Sequence, residues 1–199
     1  MLFGTGSKFQ PVPGNPTRQV AIRAYRSSDE DACRDLYRLN EPGRFPPDYE
    51  PDFLHTLRRN DYLKVIAEEN TTIVGVGAVC LMKLFRQALL VFGMVHPDWH
   101  RRGVGTALLL ARAAALPEPN PRWTLVLSPL PGSRSFYERF GFTKYAQHRD
   151  KIRGSTFDDH YAHLNRDTWT QCRSAAACLG VAVTSLPEVP QLNAANNDT

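Results

Sequence analysis

The chain has 199 residues, 42% of them hydrophobic, which is enough for one well-buried core and small for two. Its formal charge of +4, from 24 basic and 20 acidic residues, is spread along the chain, and no basic stripe with interleaved aromatics argues for nucleic acid. No window approaches the roughly 18 apolar residues that span a bilayer. The start, Met1-Leu2-Phe3-Gly4, lacks the basic segment and apolar run of an export signal, so a soluble, cytoplasmic protein without membrane or nucleic-acid partners is expected. Cys33, Cys80, Cys172 and Cys178 have no Cys-x-x-Cys spacing, which indicates neither a zinc site nor a disulfide framework.

Residues 1–17 carry Gly4, Gly6, Pro11, Pro13, Gly14 and Pro16 and read as a flexible arm. A first strand is expected over 19–25. Ser27, Ser28, Asp29 and Glu30 then supply capping oxygens and first-turn acids to a helix with Cys33, Leu36, Tyr37 and Leu39 on its inner face. Residues 41–47 form a loop, and Pro51 opens a second short helix with Phe53, Leu54 and Leu57. Residues 62–68 and 72–81 flank Glu69-Asn70-Thr71 as a hairpin. Gly75-Val76-Gly77 lies inside a strand pattern, so it marks close backbone packing or a bulge rather than a phosphate loop.

Residues 89–95 make a further strand, ended by Pro97. A basic turn with two glycines follows, and then Ala and Leu dominate through Leu116. Strand, loop, helix is therefore the order, and Gly103 and Gly105 sit where the helix begins. Free N–H groups and the positive end of the helix dipole attract an anion there, glycines let it approach, and Arg101 and Arg102 add charge: a phosphate or pyrophosphate seat. A Walker A loop needs Gly-Lys followed by Ser or Thr, but Gly105 precedes Thr106-Ala107. A dinucleotide fingerprint needs a third glycine where Leu108 stands.

Prolines at 117, 119 and 121 stop the helix, and 123–127 is a short apolar strand covered on both faces. Ser133 can cap a helix carrying Phe136, Tyr137 and Phe140, which Gly141 ends in a left-handed cap. Two final strands are expected over 142–147 and 157–164, the second rich in polar residues: Asp158, Asp159, His160, Tyr161 and His163. After Trp169 come a short helix over 172–178 and a mobile tail from about Gly180.

Two stretches together resemble the GNAT N-acetyltransferase superfamily. Val95-His96-Pro97 followed by His100-Arg101-Arg102-Gly103-Val104-Gly105 is similar to its Val-x-Pro and Gln/Arg-x-x-Gly-x-Gly/Ala signature, with His100 where Gln or Arg is usual. Phe136-Tyr137-Glu138-Arg139-Phe140-Gly141-Phe142 resembles the segment after the family's fifth strand. The resemblance implies an α/β (α+β) GNAT fold, a mixed central sheet of about six to seven strands flanked by about four helices. The acetyltransferase domain would span 18–168, and residues 169–199 would be a C-terminal extension. It also implies acetyl-CoA as co-substrate, transfer to a primary amine by direct attack in a ternary complex, and a possible homodimer.

By position, Gly93, Met94 and Val95 would line the pantetheine, with the amide of Met94 or Val95 polarising the thioester carbonyl. Arg101, Arg102, Gly103, Val104, Gly105 and Thr106 would wrap the pyrophosphate, and Tyr137 would give a proton to the sulfur. Arg44, Phe45, Asp48, Tyr49 and Glu50 would choose the acceptor. Residues 89–95 and 123–127 carry no carboxylate, so the base is left among water, Glu41, Asp48, His160 and His163, with His96 read as solvent-facing. The missing carboxylate and His100 keep alive a non-catalytic acyl-CoA-binding regulatory module, and a generic anion site on a scaffold is a third reading.

Overall fold

Branched and small apolar residues alternating along short segments build strands, and their apolar faces need cover from both sides. In the computed structural model, which describes residues 7–11, 20–41, 45, 48–150, 154–181 and 183–190, the result is one seven-stranded mixed sheet. In chain order the elements are β1 Ala21–Ala24, α1 Glu30–Asn40, α2 Glu50–Arg58, β2 Leu63–Glu69, β3 Thr72–Met82, β4 Gln87–Val95 and α3 Val104–Ala114. They continue with β5 Arg122–Leu127, α4 Arg134–Glu138, β6 Thr143–Arg149, β7 Thr156–Asn165 and α5 Arg166–Cys178. The strands lie in the order β1-β2-β3-β4-β5-β7-β6, and only β4 and β5 run parallel. The α/β class and mixed sheet expected from sequence are present.

One face of the sheet packs on α3 and α5 through Leu108, Leu109, Leu125, Leu127, Ala162, Leu164 and Ala176. On the other face α1 and α2 bring Cys33, Leu36, Tyr37, Phe53 and Leu57 onto Ile66, Val76 and Met94. Helix α3 is buried nearly all round, as its unbroken apolar run demands. It lies close on β3: a Cβ at Gly75 would stand 2.9 Å from Leu108 Cδ1 and 3.1 Å from the Met94 carbonyl oxygen. Only glycine gives that approach.

The sheet parts at its middle. β4 and β5 pair from Gln87↔Thr124 to Leu89↔Val126 and then separate, while β4 runs on to Val95 against Gly75 of β3. A bulge lies beside this point: the register shifts between Val76↔Met94 and Ala78↔Val91, so Gly77 faces both Phe92 and Gly93, with Phe92 at φ 48°. A bulge bends its strand and raises the local twist, which turns the end of β4 away from β5.

Both ends of the chain differ locally from expectation. Within the stretch read as a flexible arm, Ser7 and Phe9 pair with His163 of β7, and Phe9 is fully buried between Phe140 and Phe142. A lone aromatic among prolines and glycines was the signal. α5 begins at Arg166, earlier than expected, because Asn165 and Thr168 exchange side-chain and backbone bonds of 2.9 and 3.0 Å in a capping box. Beyond it Val181 and Val189 are buried, and Leu81 N–H donates to the Pro190 carbonyl.

Burial of Phe9 yields a direct check. Phe9→Ala is expected to lower unfolding free energy by roughly 3–5 kcal/mol in a urea titration, and a loss below about 0.5 kcal/mol would show that the arm does not hold its place in solution.

Candidate active site

The turn after β4 is shaped by two left-handed residues, Arg101 at φ 62° and Gly103 at φ 81°. Ala107 N–H donates to the Gly103 carbonyl at 2.9 Å, which closes the first turn of α3 and leaves the amides of Val104, Gly105 and Thr106 ahead of it without intrahelical acceptors. Those amides point along the positive end of an 11-residue helix. Arg101 and Arg102 are exposed beside them, and the Arg102 guanidinium lies 5.1 Å over the Trp99 ring. His100, in the place expected for Gln or Arg, is turned back: its Nε2 donates to the Val95 carbonyl at 3.0 Å and ties the loop to the strand end.

Gly103 is required by its φ, but Gly105 is not required by the fold. A Cβ there would meet only Phe136 at 3.5 Å and Val95 at 3.8 Å, ordinary contacts, and its φ is not left-handed. A glycine inside the first helical turn costs about 0.5–1 kcal/mol relative to alanine. Nothing in the packing around Gly105 requires that cost.

Along β4, His96 N–H donates to Val74 of β3 at 2.9 Å. Amides alternate direction along a strand, so Met94 N–H also turns to β3, and Val95 N–H turns to the opposite side, into the gap left by β5. Of the two amides named from sequence, the gap receives that of Val95. Gly93 is exposed, and a Cβ on it would lie 3.1 Å from Tyr137 Oη and 3.2 Å from a terminal nitrogen of Arg112. The missing side chain opens a window onto both groups.

Arg112 was not anticipated. It is 2% exposed and is the one charged residue of α3. Nε donates to the Leu108 carbonyl at 3.1 Å, Nη1 to Ala78 at 3.3 Å and more weakly to Val91 at 3.5 Å, and the guanidinium and the Tyr137 hydroxyl both lie beside Gly93. It packs on Gly77, where a Cβ would stand 2.9 Å from Cζ. Burial pushes its pKa below the usual range, and Tyr137 opposes that shift. Among the described residues no carboxylate neutralises it. The legible signal was one arginine inside an otherwise apolar helix.

The side chains named as base candidates are engaged or sit along α2. His160 and His163 are 1% and 5% exposed, the former bonded to the Asp158 carbonyl and the latter to Thr124. His96 Nδ1 accepts from Asp98 N–H within its own turn. Glu41 and Asp48 line an open groove along α2 with Glu50, Asp52 and His55. Among the residues expected to select the acceptor, Arg44 lies outside the described residues. Phe45 stacks with Phe92, Glu50 pairs with Arg38, and Tyr49 reaches across to Phe157 and donates to Asp150 at 2.5 Å. Burial raises the thiols of Cys33 and Cys172 to about 12 and that of Cys80 to about 11, so none of the three is a thiolate near neutral pH.

Comparison with known proteins gives the same frame. Residues 60–144 match the family model for the acetyltransferase (GNAT) domain. No curated protein matches the chain. The ribosomal-protein-S18-alanine N-acetyltransferase from Escherichia coli superposes with a TM-score of 0.56 at 19% identity, over 72% of this chain and 93% of that one. A putative GNAT acetyltransferase from Desulfovibrio desulfuricans superposes at 0.58 and 20%, over 73% and 98% of the two chains. The PaiA N-acetyltransferase from Thermoplasma acidophilum, solved in complex with coenzyme A, superposes at 0.52 and 17%, over 72% and 98%. Residues 60–144 are thus similar to the acetyltransferase (GNAT) domain, and the seven-stranded sheet with its parted parallel strands has the fold of these N-acetyltransferases.

Proposed function

We propose that the chain transfers the acetyl group of acetyl-CoA directly to a primary amine, with both substrates bound at once. The observation that carries this reading is the Tyr137 hydroxyl standing over Gly93 at the parted strands, on the strand that leads into the amide cradle at the start of α3. The diphosphate sits against the amides of Gly103, Val104, Gly105 and Thr106, with Arg101 and Arg102 beside it. Gly93, Met94 and Val95 follow the pantetheine, and the Val95 amide polarises the thioester carbonyl. As the carbon–sulfur bond breaks, Tyr137 gives its proton to the sulfur, and the Arg112 guanidinium offsets the negative charge left on the phenol.

Direct attack fits the thiols: three are buried and protonated, so none offers an acyl-enzyme nucleophile at the gap. They also fit a reducing compartment such as the cytoplasm. An aromatic border of Phe45, Phe92, Tyr49 and Phe157 on the side of the sheet covered by α1 and α2 suits an amine with an apolar body.

Acetyl-CoA is expected to raise the melting temperature of the wild-type chain. Gly105→Ala should melt within a few degrees of wild type without ligand, because its Cβ has room, and should lose most of the acetyl-CoA shift. An undiminished shift would remove the phosphate seat from α3.

Release of free coenzyme A, followed with phenethylamine, spermidine, kanamycin and an alanine-starting hexapeptide as acceptors, should occur with at least one. Tyr137→Phe should slow it by roughly 10²-fold with little change in the KM for acetyl-CoA. A ligand-stabilised protein that turns over none of the four favours the regulatory reading.

A further inference from the structure

An amine arrives protonated near neutral pH and must lose a proton before its lone pair can attack. No carboxylate stands on β4 or β5, yet the sheet supplies one from the next strand. Leu125 and Leu127 of β5, and Ala162 and Leu164 of β7, belong to the core under α3 and α5. Side chains alternate along a strand, so Val126 and the following Ser128 share the opposite face with Phe157, Asp159 and Tyr161. The register ends at Leu127↔His160, which sets Ser128 beside Asp159, and Ser128 Oγ donates to Asp159 Oδ1 at 2.6 Å. Ser128 lies two residues past the last β4–β5 pair, Leu89↔Val126, where the gap opens. On its other side Asp159 Oδ2 lies 2.9 Å from His148 Nδ1, and the His148 side chain is 50% exposed.

We propose that Asp159, reached through the hydroxyl of Ser128, accepts the proton of the attacking amine and that His148 hands it to solvent. This rests on the acetyl-transfer reading of the gap. The Ser128 proton is engaged by Asp159, so the hydroxyl lone pairs are its means of contact with an incoming N–H group. The ammonium proton passes to Ser128 Oγ as the Ser128 proton passes to Asp159 and onward through His148 to water. The nitrogen lone pair then forms the C–N bond and the C–S bond breaks. The amine's second proton leaves after attack, while sulfur takes one from Tyr137, which is reprotonated from solvent. One proton is released for each acetyl group moved.

The groups around Asp159 define what else can titrate. His148 on β6 stacks on Phe157 with centroids 5.4 Å apart. Tyr145 on β6, in contact with Tyr161 of β7, has its phenol pKa raised by burial and by the Asp159 charge. The Tyr49–Asp150 pair lies at the hairpin end. Lys144 and Arg134 are held by Asp158, which points to the other face.

Asp159→Asn is tested in the full chain with whichever of phenethylamine, spermidine, kanamycin or the alanine-starting hexapeptide the wild type acetylates. Near neutral pH the variant should lose about 10²–10⁴-fold in kcat, with an unchanged melting temperature and acetyl-CoA KM. Its rate should climb by about tenfold per pH unit as the acceptor loses its proton unaided, while the wild type climbs less. Activity within about threefold of wild type, or a loss equal at every pH, overturns the relay. Should Asp159→Asn not fold, Ser128→Ala at an exposed position takes its place, with a loss of about tenfold or more and the same rise with pH. Full Ser128→Ala activity overturns it equally. A slowed Tyr137→Phe beside a fully active Asp159→Asn sinks the relay and leaves acetyl transfer standing; a wild type that acetylates none of the four acceptors takes both down.

Discussion

The separation of β4 from β5 is the constraint on which the rest of this molecule depends. Parallel strands ordinarily hydrogen-bond along their shared length, and here they stop after Leu89↔Val126 although β4 continues to Val95. The price is a set of strand amides without a neighbour. A peptide-like chain such as pantetheine can satisfy them, and the amide of Val95 faces the opening. The bulge at Phe92 and Gly93 keeps the strands apart, and Gly77 opposite it leaves room for the Arg112 guanidinium behind. Separation, bulge and buried cation form one unit.

Arg112 gives that unit its electrostatics. Removing a guanidinium from water costs on the order of several kcal/mol unless partners compensate, and this one has carbonyls and a phenol rather than a carboxylate. Carbonyl dipoles from α3, β3 and β4 hold the charge in place, so it needs no rearrangement when negative charge develops nearby. The phenol of Tyr137 stands beside this cation at the window left by Gly93. Helix α3 therefore contributes twice, through amides at its start and through one charged side chain a little over two turns further on.

The parts of this architecture legible in the sequence were local ones. The hairpin at Glu69-Asn70-Thr71, the glycine turn before α3 and the left-handed Gly141 each follow from residues close in sequence, and the structure has all three. Gly75 and Gly77 were read as close packing or a bulge, and they are one of each. Contacts between distant elements were not legible. Phe9 lay among residues that discourage regular structure, and only the slot between Phe140 and Phe142 explains its burial. Asp159 was visible as one of several polar residues on a strand. Its place beside Ser128 depends on a β5–β7 register that no short pattern encodes. The two histidines of that strand, named among several base candidates, are buried, because packing and not residue type decides which side chains stay accessible.

The most direct measurement is a crystal structure with acetyl-CoA bound. The account predicts the diphosphate against the amides of residues 103–106, the pantetheine lying between β4 and β5, and the sulfur within hydrogen-bond reach of Tyr137 Oη. A diphosphate bound elsewhere, or a sulfur remote from that phenol while the strands remain apart, would contradict it.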